Sequence, residues 1–161
     1  MSNFLSFPVF AQKYGGSIKI GIPHRIVQLD SHIATAIGSI TVLKQVFEPL
    51  LSYDENLKVV PCLAVKLPER TEDGSYIVTL RKGVKFHDGT ELKANDVKFS
   101  FDRVLNPETG SPFRRVFKWI DSVEVLNDYQ VKFNLKIPIA PDIFNEKLTG
   151  LRIMSEAAVK R

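Results

Sequence analysis

The stretch DGSYIVTLRKGVKFHDGTELKANDVKFSFDRVL, residues 73–105, carries two different hydrophobic periods. In its first part Tyr76, Val78 and Leu80 alternate with Ile77, Thr79 and Arg81, the period of a half-buried strand. In its last part Val97, Phe101, Val104 and Leu105 recur at helical spacing, so residues 94–105 form a helix with one apolar face. Glu72-Asp73-Gly74 ahead of the strand and His87-Asp88-Gly89-Thr90 before the helix are turn signals, with the aspartates positioned to bond nearby backbone. Gly83 permits the sharp turn that leaves the strand. Asn106-Pro107 ends the helix, because a residue before proline is pushed out of helical conformation.

Working outward from this block, two further strands follow, residues 122–126 and 129–135, joined at Asn127-Asp128. In the second, Tyr129, Val131, Phe133 and Leu135 point inward while Gln130, Lys132 and Asn134 point to water. That is the alternation of an antiparallel sheet open on one side. Tyr76, Val78, Leu80, Val123, Val125, Tyr129, Val131 and Phe133 are therefore expected on one buried sheet face, under the helix bearing Val97 and Phe101. Pro138 and Pro141 mark a loop, residues 142–148 a short helix, residues 151–154 a strand, and Ser155 the start of a last helix. Upstream, residues 17–22 read as a strand entered from Gly15-Gly16, and residues 29–32 as a turn. Residues 39–51 place Ile40, Leu43, Val46, Phe47, Leu50 and Leu51 on one helical face, with Ser39 as a cap and Pro49 as a kink or stop. The fold class is α/β, a mixed α+β pattern of antiparallel sheet and helices.

The 161 residues are 44% hydrophobic and 25% charged, enough apolar content for a real core and against disorder. The net charge of +4 is spread along the chain without a block of like charges, so no nucleic-acid partner is expected. Cys62 stands alone and reads as a small buried hydrophobe rather than a disulfide or reactive thiol. No apolar run reaches the roughly 18 residues of a membrane span. Residues 1–12 contain the apolar Phe4-Leu5-Ser6-Phe7-Pro8-Val9-Phe10-Ala11, which reads as the tail of a signal peptide or as a disordered N-terminus.

Candidate chemistry is sparse. His24, Asp30 and His32 lack the spacing that gives metal sites their geometry, so neither metal nor cofactor is expected. His87-Asp88 is a turn rather than an acid–base pair, and no nucleophile elbow exists, so no catalytic residue is assigned. Among the aromatics Phe99, Phe101, Phe113, Phe117 and Trp119, Phe101 belongs to the core. Phe113 and Trp119 lie outside the regular helix and are freer to face a ligand.

Several segments in order resemble the solute-binding proteins of the oligopeptide, dipeptide and nickel class, solute-binding protein family 5. These are Gly15 to Gly21, Leu29-Asp30-Ser31-His32 (Ser31 where the family has proline), Val46 to Asp54 (Pro49 where glycine is commoner) and Val60-Pro61-Cys62-Leu63-Ala64. The long block from Asp73 to Ser100, Asn106 to Pro112, and Asn127 to Val131 complete the set. The resemblance implies a type II periplasmic-binding-protein fold of two lobes that close on ligand like a hinge. It places residues 13–52 in the first strand and helix of lobe one and residues 53–161 in that lobe's extra subdomain. The second lobe is absent, so the chain is expected to be an N-terminal portion. The resemblance further implies capture of peptides or a related small solute for the permease subunits of an ABC importer. The protein would be a monomer in the periplasm or at the cell surface. The alternatives are a sensor or regulatory protein reusing the same lobe, or a non-functional truncated paralogue; an enzyme is disfavoured. Carried over residue by residue, Thr35, Ala36, Ile37 and Phe113 are the expected ligand-binding positions, forming one wall of the cleft.

Overall fold

A computed structural model of the chain describes residues 15–161. The apolar Phe4–Ala11 segment, read as a signal-peptide tail, lies outside the described residues. The alternating residues fold into an antiparallel hairpin of β5 (Ile120–Asn127) and β6 (Gln130–Leu135). On its other edge β6 pairs with β4 (Tyr76–Thr79), which pairs in turn with the short β3 (Glu69–Arg70), giving the order β3-β4-β6-β5. The register sets Tyr76 opposite Phe133 opposite Val123, and Val78 opposite Val131 opposite Val125. One face is thus apolar across three strands, as the period-two pattern requires.

The helix α2 (Ala94–Leu105) covers that face with Val97, Phe101 and Val104, and its bounds are those read from the sequence. Phe101 meets Phe133 edge to face at 4.9 Å and Phe117, on α3 (Arg114–Phe117), at 5.5 Å. Phe144, on α4 (Pro141–Lys147), stacks on Tyr76 with centroids 3.9 Å apart. The Tyr76 hydroxyl donates to the Ile139 carbonyl at 2.7 Å, so its polar end is satisfied. Val125, near the end of the edge strand, is 37% exposed, and Tyr129 is only partly buried, contrary to the expectation that the whole face is covered.

A second, two-stranded sheet joins β1 (Leu51–Tyr53) to β2 (Val59–Pro61). Ahead of it, α1 spans Ile37–Leu43, shorter than the helix expected over residues 39–51. Pro49 has no N–H and disfavours helix in the residue before it, and beyond it Leu50 and Leu51 pass into the core, Leu51 as the first residue of β1. The cap is Ala36 rather than Ser39. Ser39 is buried inside the first turn, where its Oγ accepts from the Val27 and Gln28 N–H groups at 3.0 Å each. Gly38 lets this segment come so close: a Cβ there would sit 2.6 Å from the Arg25 carbonyl oxygen.

Two expected strands differ. Residues 17–22 pair with no strand among the described residues, and Ile18 and Ile20 are 82% and 75% exposed. Alternation states which face a strand would bury, but a strand exists only with a neighbour to accept its backbone bonds. Residues 151–154 make one bridge, Arg152 to Pro49, with the Ile153 N–H donating to Glu48 at 2.9 Å. The last helix, α5 (Glu156–Val159), starts at Ser155 as expected, with the Ser155 Oγ accepting from Ala158. Asp96 in the first turn of α2 anchors it, accepting from the Glu156 N–H at 3.0 Å. Cys62 is half-buried rather than buried, with its thiol directed to Glu48 at 3.8 Å; burial pushes that thiol up.

The turn at residues 30–33 is docked onto this framework by polar contacts. The Asp30 carbonyl accepts from Ile33 and Ala34, and Asp30 Oδ1 accepts from the His32 N–H at 2.9 Å. Arg103 of α2 grips the same carboxylate with both terminal nitrogens, at 3.0 and 2.5 Å. The Ser111 hydroxyl donates to the His32 carbonyl at 2.6 Å, and His32 Nε2 donates to the Arg152 carbonyl at 2.9 Å. A carbonyl can only accept, so the proton sits on Nε2. That leaves the buried Nδ1 without a hydrogen-bond partner among the described residues.

The core assignment carries a stability prediction. Phe133→Ala removes the centre of the aromatic cluster and should cost about 3–5 kcal/mol in denaturant melts. Lys132→Ala loses only an exposed pair with Asp73 and should cost under about 1 kcal/mol; comparable losses for the two would refute the buried face. The turn carries a second prediction. Burial is the main cause holding the His32 pKa below its usual 6.5, with Arg103 lowering it further and Asp30 acting the other way. A second proton would go to Nδ1, where it finds no acceptor. The folded state therefore binds fewer protons than the unfolded chain. Stability present above pH 6.5 should be lost as pH falls from there through the folded pKa. An NMR titration should place His32 below 6.5; a value at or above 6.5 would contradict the buried, half-satisfied ring.

Candidate functional site

The docked turn delivers the chain directly into the residues expected to meet ligand. Thr35 is exposed, Ala36 is half-buried as the cap of α1, and Ile37 opens that helix with 66% of its surface exposed. The three form a ledge held at both ends. On one side stands the turn fixed by Arg103, Ser111 and Arg152; on the other stands α1, fixed by the contacts of Gly38 and Ser39.

Phe113 lies elsewhere. It follows Ser111-Pro112, caps α3, and packs half-buried against the core. It lines a hollow of about 260 Å³ with Tyr53, Val116, Phe117, Lys147 and Thr149. The Ser111–His32 hydrogen bond ties the two loops together, but the hollow that Phe113 lines does not include Thr35, Ala36 or Ile37. Trp119, expected to be free for ligand, is instead half-buried: its ring meets Phe144 edge-on at 5.7 Å and its N–H donates to the Val116 carbonyl. An aromatic outside a helix is not thereby outside the core.

Electrostatics at the ledge are dominated by Asp30 and Arg103. The bidentate contact with Arg103 and the His32 N–H hold the Asp30 carboxyl below its usual range, against burial, the largest single influence, which raises it. His24, Asp30 and His32 do not form a metal-binding group, and among the described residues no cluster of His, Cys, Asp and Glu does. His87-Asp88 is a turn, with Asp88 Oδ1 accepting from both the N–H and the hydroxyl of Thr90. Sequence reasoning missed Arg103 and Arg152. The signal for Arg152 was present: one arginine inside the apolar run Leu151-Arg152-Ile153-Met154.

Residues 58–160 match the model of the bacterial extracellular solute-binding proteins, family 5, middle region. The glutathione-binding protein GsiB of Pectobacterium atrosepticum is 32% identical over 152 residues, covering 94% of this chain and 29% of that protein. The structure of NikZ from Campylobacter jejuni in complex with Ni(L-His) superposes with a TM-score of 0.75 and 30% identity, covering 85% of this chain and 27% of the other. AppA from Bacillus subtilis, solved with a nonapeptide, gives a TM-score of 0.74 at 30% identity over 81% of this chain and 26% of its own. The chain thus spans under a third of the length of these relatives. No helix among the described residues is long and apolar enough to cross a membrane. With the family match spanning most of the sequence and the same mixed α/β architecture in type II binding proteins, this chain belongs to the family 5 bacterial extracellular solute-binding proteins.

Proposed function

We propose that this chain supplies one wall of the cleft of a receptor that captures peptides or related small solutes outside the cytoplasm and delivers them to the permease of an ABC importer. The observation that carries the reading is the family match over residues 58–160, joined to a rigid exposed ledge at Thr35, Ala36 and Ile37. The printed names of the relatives, glutathione-binding and oligopeptide-binding, support a solute of peptide chemistry. In this reading residues 13–52 belong to lobe one proper and residues 53–161 to its extra subdomain. Phe113, apart from the ledge, meets ligand through the hollow it shares with Tyr53. The protein acts by binding rather than by chemistry, as a monomer without a nucleic-acid partner, and reaches its place by a signal peptide.

The ledge is a shallow surface, so affinity demands a second wall. Association costs about 4–15 kcal/mol of translational and rotational freedom, and a ligand left half in water recovers little of it. Calorimetry of the 161-residue chain against peptides, nickel chelates and oligosaccharides should find peptide binding weaker than roughly 1 mM. Micromolar binding of a peptide would overturn the one-wall reading. Turnover of a hydrolase substrate would overturn the binding role itself.

A further inference from the structure

Arg152 is the one half-buried cation whose partner the fold does not provide among the described residues. The other cations sunk to a comparable depth are paired: Arg103 with Asp30, Lys93 with Glu91, Lys132 with Asp73. Arg152 makes no ion pair, its side chain makes no hydrogen bond, and its Nε is buried without a partner among the described residues. Its backbone, by contrast, is fixed twice, by the bridge to Pro49 and by the hydrogen bond from His32. The side chain is therefore held in place with its donors unused.

Arg152 lines a hollow of about 420 Å³, together with Lys44, Glu48, Ser52, Tyr53 and Thr149. The volume is within the range of small-molecule sites, roughly 300–1,000 Å³. Two cations face one carboxylate there, and that carboxylate, Glu48, has the Cys62 thiol as its contact. The Thr149 hydroxyl has its proton engaged by the Glu146 carbonyl, while Ser52 and Tyr53 bring further hydroxyls to the lining. A guanidinium fork matches a carboxylate with two parallel bonds, and such charge-assisted bonds are the strong ones where water is scarce. Burial alone acts on the Arg152 guanidinium and pushes its pKa down, with no anion to offset it.

We propose that the hollow between β1 and residues 149–152 is a binding site for a small carboxylate, held by the Arg152 guanidinium in a lining that includes Ser52 and Tyr53. The carboxylate is either that of a free organic acid or the C-terminus of a peptide. The site does not involve Thr35, Ala36 or Ile37, so it stands or falls apart from the ledge, while Tyr53 and Thr149 line both it and the hollow of Phe113.

The test is an NMR titration of the ¹⁵N-labelled chain, following the Arg152 Nε–H signal. Acetate represents the free acid and N-acetylglycine the peptide terminus; N-acetylglycinamide and sodium chloride are the controls. The acids should shift the signal saturably, with saturation by N-acetylglycine at lower concentration identifying the peptide terminus. The amide and the salt should not saturate. In R152M the remaining backbone shifts should need at least about tenfold more acid. Without ligand R152M should melt at or above the wild type, since it removes an unpaired half-buried charge. Equal responses to acid and amide, an unchanged titration in R152M, or a melting point lowered by more than roughly 5 °C in R152M would each overturn the proposal.

Discussion

Everything in this molecule hangs on β6 lying between two neighbours with Val131 and Phe133 turned the same way. Because side chains alternate strictly along a strand, fixing that one face fixes Tyr76 and Val78 on β4 and Val123 on β5 through the register. Phe133 then has ring partners above it, Phe101 from α2 and Phe144 from α4. Each contact is edge to face, the arrangement ring quadrupoles favour, and it determines where the two helices can sit. A slip of one residue would bring Lys132 and Asn134 under Phe101, burying polar groups that have their partners on the other face: Asp73 for Lys132, Ser122 for Asn134. The register is thus held from both sides of the sheet.

The apolar core does not by itself position the ledge. That is done by a small polar system at the end of α2. Arg103 leaves the helix and closes on Asp30 with two bonds, which converts a sequence separation of 73 residues into contact. Such a partly buried pair gains from the reduced dielectric only because its geometry is complete; with one bond missing, the desolvation of both charges would go unanswered. Ser111 and Arg152 add two further ties from different segments. The turn is therefore specified by directional contacts, which suits a segment whose neighbours must be exposed and yet keep one conformation.

Elements with their own period were legible in the sequence: α2 to the residue, the β5–β6 hairpin, the strand β4, the turns at Asp73 and Asp88, and the cap at Ser155. What failed were the assignments that need a partner to be true. Residues 17–22 have a strand's pattern but no described neighbour, and residues 151–154 support only a bridge. Pro49 was read as a kink or stop, yet the helix ends earlier, since the apolar residues beyond it serve β1 and the core rather than a helical face. At the site, the ledge positions came from resemblance; Thr35 and Ile37 are exposed and Ala36 is half-buried. Arg103 and Arg152 carry no periodicity at all, so nothing in the local pattern marks one as satisfied and the other as unsatisfied.

The contrast between those two arginines is the more informative for being internal to one chain. Both lie against the same histidine turn, Arg103 through the Asp30 carboxylate that bonds His32 and Arg152 through its own carbonyl. The fold spends an aspartate on the first and none on the second, although Glu48 lines the same hollow. A half-buried guanidinium with unused donors lowers stability, because its charge has lost water without gaining an anion. Replacing it with an apolar side chain of similar length would remove that loss at once. A group that costs stability where it stands, on a backbone fixed from two sides, is accounted for if a bound carboxylate supplies the missing partner, as the proposed site requires.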